Sequence, residues 1–574
     1  MATIAESIID ALAELGVTQV WGVVGDALNP VTDAIRREER IEWVGVRHEE
    51  AAAFAAGAQA QLTGTLGVCM GTVGPGSLHL LNGLYDARKS HAPVLALCGQ
   101  VPLAELGTDF FQEVHNDAVF ADVAEFCATV TSSAQMPGLF EQAVQTALAA
   151  PGVSVLTLPG DIGGADAPGA PARLVSERRP VVPDPASLDQ AAQVIEQSGP
   201  VTMLVGTGAR HARAEVLALA ERLCAPMVLT LKAKEELERE NPFAVGQSGL
   251  IGNPAAQRAL QRCELLLMLG TDFPYTDWYP KGKRVIQVDL RQAHIGRRTQ
   301  VELGVVGDAR LATAGLIGRV AAREDRSHLD DCTGRYADWR ARQQAVADPE
   351  QDGRGIVEKV RSAFENPDDR IRPESLAAAI DRFAADDAVF TTDTGMSTVW
   401  LSRFVTMRGR RRLLGSYNLG SMANAMPQAL GAQALDRGRQ VIAFCGDGGL
   451  TMLLGELITA VHHQLPVKLI VFNNGRLGMV KLEQEQAGLP EFGTVLGDVD
   501  LAAVARACGM HAVRVSDGDA LADGVRDTLA HHGPALLDVV TNPDEVALPP
   551  KVTPGEAWGF AIAKLSETLE SRAG

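Results

Sequence analysis

The stretch from Val441 to Glu483 constrains this chain more than any other. It opens on an apolar run, Val441 to Cys445, that reads as a buried strand. The run breaks at Gly446-Asp447-Gly448-Gly449 and resumes as a helical pattern through Met452, Leu453, Leu457 and Val461. A second apolar run, Val467 to Phe472, ends in Asn473-Asn474-Gly475. Asp447 and Asn474 thus each stand just beyond a strand, where open α/β sheets bind ligands. They lie 27 residues apart, one strand-helix-strand unit, which in a parallel sheet sets the two tips side by side. A carboxylate, an amide oxygen and nearby backbone carbonyls form an all-oxygen donor set, suited to Mg²⁺ sharing its shell with a diphosphate. Gly446, Gly448 and Gly449 let the backbone close on phosphate oxygens. The plainer alternative is an ordinary strand-turn-helix with Asp447 as a helix cap; the Asn-Asn pair at this spacing favours the ligand site.

The rest of the chain repeats the alternation of strand and helix. Residues 1–175 form one unit, with strands around Val20–Val24, Glu42–Val46 and Leu66–Met70. The second of these delivers Arg47-His48-Glu49-Glu50 into Ala51-Ala52-Ala53-Phe54-Ala55-Ala56-Gly57-Ala58, a helix with so little side-chain bulk that a neighbour can approach closely. Glu49 falls at that strand-to-helix turn; helix-start electrostatics is the simpler account of it when taken alone. Residues 176–187 read as a proline-rich linker. A second unit, 183–335, begins with a helix Leu188–Gln197 and a strand Val201–Val205 ending in Gly206-Thr207-Gly208, a dinucleotide-like turn lacking its third glycine. Further strand ends carry Lys234, Thr271, Asp289 and Asp308, and so many glycine or acidic tips imply a nucleotide-shaped ligand. A charged connector leads to a third unit, 365–545, and a tail, 546–574.

Length and charge bound the rest. At 574 residues, three domains of ~100–200 residues each are expected. Apolar residues make up 46% but aromatics only 5%, the Ala/Val/Leu balance of layered α/β domains. A net charge of −19 argues against a nucleic-acid partner. Eight cysteines without a C-x-x-C pair suit a reducing cytoplasm. The N-terminus reads as an amphipathic helix without the basic region of a signal peptide, and no apolar run of ~18 residues is present to span a membrane.

Taken together, the motifs RHEEAAAFAAGAQAQLTG (47–64), GPGSLHLLNGLYD (74–86), FFQEVH (110–115), GVSVLTLPGD (152–161), SGLIG (248–252), LGTDFPY (269–275), GSMANAMPQALGAQ (420–433), CGDGGL (445–450) and VFNNGRLGMVKLE (471–483) give a chain that resembles the thiamin diphosphate-dependent decarboxylase-oxidase family. Within that family it looks most like the pyruvate oxidases of the bacterial pyruvate:quinone type. The resemblance implies an α/β fold of three doubly wound parallel-sheet domains: a pyrimidine-binding domain, a central FAD domain and a diphosphate domain. It implies thiamin diphosphate, Mg²⁺ and FAD as cofactors, pyruvate or a similar 2-keto acid as substrate, acetate and carbon dioxide as products, a quinone as electron acceptor, and a homotetramer whose active sites are shared between subunits.

Residue roles follow by position. Asp447, Asn474 and the backbone carbonyl of Arg476 match the Mg²⁺ ligands, and Gly446, Gly448 and Gly449 the diphosphate loop. Glu49 matches the glutamate that hydrogen-bonds the aminopyrimidine; Val24, Gly25 and Thr72 are cofactor-binding positions, and Met422 matches the residue that bends the cofactor. Phe111 and Gln112 match residues beside the reacting carbons, and Glu483 an acidic residue above the thiazolium. For FAD the matching positions are Gly206, Gly208, Lys234, Thr271, Asp289 and Asp308. Acetolactate synthase is the nearest rival, and its family carries a tryptophan where this chain has Glu483; an oxygen-dependent oxidase is another. Quinone-type members dock on the inner face of the membrane through a C-terminal segment. Here the tail aligns Trp558, Ile562, Leu565 and Leu569 on one stripe, shorter than in that family, so packing onto its own domain competes with lipid docking.

Overall fold

A computed structural model describes residues 2–169, 180–271, 273–348 and 370–544. It contains three six-stranded sheets, parallel throughout. The first comprises β1 (Gln19–Gly22), β2 (Glu42–Gly45), β3 (Gly67–Gly71), β4 (Val94–Gln100), β5 (Ala124–Thr129) and β6 (Val153–Pro159), in the order β2-β1-β3-β4-β6-β5. The central sheet comprises β7 (Val201–Val205), β8 (Met227–Leu229), β9 (Ala244–Gln247), β10 (Leu265–Leu269), β11 (Arg284–Asp289) and β12 (Leu303–Val306), in the order β12-β11-β10-β7-β8-β9. The third comprises β13 (Val389–Thr392), β14 (Arg412–Gly415), β15 (Val441–Gly446), β16 (Lys468–Asn473), β17 (His511–Val515) and β18 (Ala535–Val540), in the order β14-β13-β15-β16-β18-β17. The first and third sheets share one strand order, whereas the central sheet has that of a dinucleotide fold.

The strands in mid-sheet, β3, β4, β7, β10 and β16, are buried at every position, because helices cover both faces. Their Val, Leu, Ile and Met runs therefore show no alternation. Domains one and three meet through the helices Glu49–Thr63 and Ala425–Leu435, both buried along most of their length. Alanine and glycine set this spacing: a Cβ added to Gly431 would lie 2.4 Å from the Ala55 carbonyl oxygen. Gln59 crosses the seam, donating to the Gly431 carbonyl (3.1 Å) and accepting from Trp21 Nε1 (3.1 Å).

One local reading shifts, and two segments gain detail. The helix expected at Leu188–Gln197 runs Pro185–Glu196, because Asp184 caps it and proline suits its first turn, so the linker ends earlier. The GTG turn enters a 3₁₀ stretch, Thr207–Ala212, before the helix Arg213–Leu223. The GPGSLHLLNG segment makes two helices, Pro75–His79 and Leu81–Lys89. The stripe Trp558, Ile562, Leu565 and Leu569 lies outside the described residues. Among the described residues, no helix is long and apolar enough to cross a membrane.

Candidate active site

β15 and β16 pair from Ile442↔Lys468 through Gly446↔Phe472, so their carboxyl ends leave the sheet side by side. Asp447 starts the helix Asp447–Met452 and is buried. Burial pushes its carboxyl up to about 6, against the backbone N–H groups of Gly448 and Gly475, which act on it from both tips. The Asn474 side-chain oxygen accepts the Arg476 N–H at 3.1 Å. The loop is then held by a short antiparallel return: Leu477 N–H donates to the Thr494 carbonyl (2.8 Å) and Leu496 N–H to that of Gly475 (2.8 Å). The Arg476 guanidinium pairs with Glu491. An apolar wall closes the turn, since a Cβ on Gly448 would meet Leu477 Cδ2 at 2.9 Å, Leu496 Cδ1 at 3.0 Å and Met422 Cε at 3.3 Å. Met422 is therefore beside the glycine turn. Its neighbour Ala423 has φ 65°, a left-handed backbone that a non-glycine residue holds only under constraint.

Behind this loop sits a second carboxylate. Asp393, past β13, accepts N–H groups from Ala425 (2.9 Å) and Gly446 (3.2 Å), and burial pushes it up to about 7. A side chain at Gly449 is excluded, because its Cβ would lie 2.3 Å from Asp393 Oδ2.

The first sheet gathers a second group. Glu49, at the start of its helix, is buried, and His79 Nδ1 lies 2.9 Å from Glu49 Oε2, which accepts the hydrogen bond. The His48 ring stacks on His79, centroids 4.3 Å apart. Glu49 Oε1 approaches the turn after β3, 3.2 Å from where a Gly76 Cβ would stand. Thr72, on that turn, is packed against Gly25, and its buried hydroxyl has no hydrogen-bond partner in the fold. Val24 beside it is exposed. Gln112, with φ 67°, lies against Gly74, and Phe111 is 79% exposed. Glu49, Val24, Gly25, Thr72 and Gln112 thus share one rim.

Glu483 is exposed on the helix Gly478–Gln486. Its charge reaches Tyr275 of the central domain, whose hydroxyl is pushed up by burial first and by Glu483 second. In the central sheet, Gly206 and Gly208 meet Gly270 and Thr271 where the strand order reverses; a Gly206 Cβ would be 2.4 Å from the Gly270 carbonyl oxygen. Asp289 ends the adjoining β11. Gln247 Nε2, at the end of β9, and Ser248 Oγ, just past it, are buried without hydrogen-bond partners. Two expected positions are occupied by structural duties: the Lys234 ammonium is buried in an ion pair with Glu238, and Asp308 caps the helix Ala309–Ile317 through the N–H groups of Arg310 and Leu311. Lys232, which the sequence reading passed over, instead reaches the first domain, donating to Ser90 Oγ (2.7 Å) and Gln61 Oε1 (3.2 Å).

Three family models match consecutive parts of the chain: the N-terminal thiamine pyrophosphate binding domain over residues 2–119, the thiamine pyrophosphate enzyme central domain over 188–316, and the C-terminal thiamine pyrophosphate binding domain over 393–539. A Bacillus subtilis (strain 168) protein named "Putative thiamine pyrophosphate-containing protein YdaP" is 36% identical over 582 residues, covering 99% of this chain and 97% of that protein. The chain belongs to the thiamine pyrophosphate enzyme family. A pyruvate oxidase of Lactiplantibacillus plantarum is 30% identical over 549 residues (94% of this chain, 88% of that protein). The acetolactate synthase large subunit of Parasynechococcus marenigrum is 30% identical over 572 residues (96% and 90%).

The residues present fit the family's cofactor. The tips of β15 and β16 offer a carboxylate, an amide and a backbone carbonyl, the oxygen set of a Mg²⁺-diphosphate site. The unpartnered Thr72 hydroxyl and buried Glu49 offer a polar lining for a heteroaromatic ring.

Proposed function

We propose that this enzyme oxidatively decarboxylates pyruvate to acetate and carbon dioxide, using thiamin diphosphate, Mg²⁺ and FAD and passing electrons to a quinone. One observation carries the reading: Asp447 and the Asn474-Gly475 turn converge at the ends of paired strands, walled by Met422, Leu477 and Leu496. Asp447, Asn474 and the Arg476 carbonyl hold the metal, and Gly446, Gly448 and Gly449 admit the diphosphate. When bound, the thiazolium supplies the electron sink that decarboxylation of a 2-keto acid needs.

The chain's own groups do the rest. Glu49 hydrogen-bonds the aminopyrimidine ring and sets its protonation, with Val24, Gly25 and Thr72 lining the same ring. His79 orients the Glu49 carboxylate through its 2.9 Å hydrogen bond. Met422 fills the space beside the glycine turn, where it would press on the bound cofactor and favour its bent form. Phe111 and Gln112 flank the keto acid and exclude water, and Glu483 faces it from the third domain. Gly206, Gly208, Thr271 and Asp289 receive FAD at the switch point of the central sheet, where dinucleotides bind. Lys234 and Asp308 support that domain from within. Phe111 and Phe492, 79% and 84% exposed, are apolar surface that other copies would cover in a homotetramer.

The test is direct. Purified protein should be yellow, bleach with pyruvate without oxygen, and reduce a quinone analogue while forming acetate. Acetolactate formed without bleaching would replace the reading with that of the synthase relatives. Bleaching reversed by oxygen but not by quinone would move the acceptor. Flotation with anionic vesicles, with and without pyruvate, tests peripheral contact with the membrane's inner face.

A further inference from the structure

Glu49 is carried on a turn that the first domain does not hold alone. Between β2 and the helix Glu49–Thr63, the backbone N–H groups of Arg47 and His48 both point at Glu456 of the third domain, each 2.9 Å from Oε1. The second oxygen, Oε2, accepts from Thr459 Oγ1 at 2.6 Å. Glu456 is 1% exposed, so its carboxylate is reserved for these three donors. The same helix, Glu456–His462, grips the turn again just past its far end, where His463 Nε2 lies 3.1 Å from the Gly45 carbonyl oxygen. Gly455 makes room for this contact, since its Cβ would stand 3.3 Å from Arg47 Cβ. A buried carboxylate bound to two consecutive amides fixes the direction in which the chain enters the next residue, and the next residue is Glu49.

We infer that Glu456 is a positioning residue: it clamps the Arg47-His48 turn and thereby sets where the Glu49 carboxylate meets the cofactor's aminopyrimidine ring. The inference rests on the proposed role of Glu49. It couples the turn that carries Glu49 to the third domain of the same chain, because the helix bearing Glu456 closely follows the helix that begins at Asp447. Burial raises the Glu456 carboxyl, in keeping with a group held for its oxygens rather than for exchange with water.

The chemistry of the clamp dictates the variants. In Glu456→Gln the amide oxygen can still accept both N–H groups, and Thr459 can turn to accept from the new amide. In Glu456→Ala both amides lose their acceptor. In Glu456→Asp the oxygens withdraw by one methylene. The readout is exchange of the bound cofactor's thiazolium C2 proton for deuterium in the full-length protein with Mg²⁺, quenched in acid and read by NMR, alongside cofactor affinity. We expect Glu456→Ala to slow exchange by about 10²-fold, the cost of a misplacement of about 1 Å, with affinity changed far less. Glu456→Asp should fall between Ala and wild type, and Glu456→Gln should exchange close to wild type. Glu49→Gln is the control. Normal exchange in Glu456→Ala or in folded Glu456→Asp, with slow exchange in Glu49→Gln, overturns the clamp and leaves the role of Glu49 standing. Normal exchange in Glu49→Gln overturns that role, and the clamp with it. Exchange in Glu456→Gln as slow as in Glu456→Asp would also overturn it, showing that charge and not amide geometry matters.

Discussion

The first and third sheets share one strand order but carry different chemistry at equivalent tips. β3 and β15 are each flanked by the first and fourth strands of their sheets, and each runs into a glycine turn and a helix. After β3 the turn presents a neutral hydroxyl, Thr72, beside Gly25 and the exposed Val24. After β15 it presents Asp447, backed by Asp393 past the next strand over. The acid of the first sheet stands instead past β2, as Glu49. On the proposed reading, one frame serves as a lining for an uncharged ring and, in its second use, as a seat for a cation and a diphosphate. The frame fixes where loops converge; the loop residues decide what they hold.

This division predicts two kinds of failure. The larger is at the ring end. Glu49→Gln keeps shape and hydrogen bonding but not the ionisable proton, and should lower turnover by ~10²–10⁴-fold, the range for acid-base groups, with cofactor still bound. Steady-state rates at saturating cofactor check this; unchanged turnover would break the comparison on its first-sheet side. At the diphosphate end, Asp447→Asn removes the only formal charge among the three oxygen donors. Apparent affinity for thiamin diphosphate with Mg²⁺ should fall by ~10–100-fold, and rates at saturation should recover most of their value. Calorimetric titration distinguishes the two. A turnover defect that no cofactor concentration relieves would mean Asp447 does more than hold the metal.

Asp393 gives the third sheet a pH signature that Thr72 denies the first. Its carboxyl is raised from 3.8 to about 7, first by burial, against the two N–H bonds it accepts. Between those values the folded state keeps a proton that the unfolded chain has lost. Its contribution to stability is therefore fully present below 3.8 and is lost as pH rises through about 7. Asp393→Asn removes that titration. In denaturant melts of cofactor-free protein, wild type should lose stability relative to the Asn variant as pH climbs through this window, whereas the difference between wild type and Thr72→Val should not change with pH.

Much of this was readable in the sequence, and the reasons are local. The GDGG and Asn-Asn turns follow apolar runs at a spacing that only a strand-helix-strand unit satisfies, so the pairing of β15 with β16 could be expected before it was seen. The alanine run after Glu49 likewise announced a close helix contact. Asp393 follows a strand, but its partners, Ala425 and Gly446, come from other segments of the chain, and no spacing rule connects them. Glu456 and Lys232 were hidden for the same reason, since each acts across a domain seam through backbone amides or neutral side chains. Lys234 and Asp308 carry partners that the strand-end pattern does not predict. Both stand near strand ends, yet one is spent on Glu238 and the other on a helix cap, which only side-chain direction reveals. The shared order of the first and third sheets left no trace in residue identity, because it is written in which strands pair.

The smallest effects test the seam itself. Gly57 and Gly431 are both interior glycines of the helices Glu49–Thr63 and Ala425–Leu435, one from each domain. In an isolated helix either change to Ala would stabilise by ~0.5–1 kcal/mol. At Gly57 the new methyl would stand 3.4 Å from Ala87 Cβ, an ordinary contact, so the helix preference should survive. At Gly431 it would lie 2.4 Å from the Ala55 carbonyl oxygen and 2.8 Å from Ala55 Cα. Backbone cannot step aside as a side chain can, so the two domains must part and the Gln59 bond to the Gly431 carbonyl must stretch. Overpacking of this kind costs ~1–3 kcal/mol, which outweighs the helix gain and reverses the sign. Urea melts of the two variants should therefore move in opposite directions from wild type. If Gly431→Ala instead matched Gly57→Ala, the domains would be free to slide on one another, and polar ties such as the Glu456 grip on the Arg47-His48 turn and the Gln428 bond to Asp86 would have to yield with them.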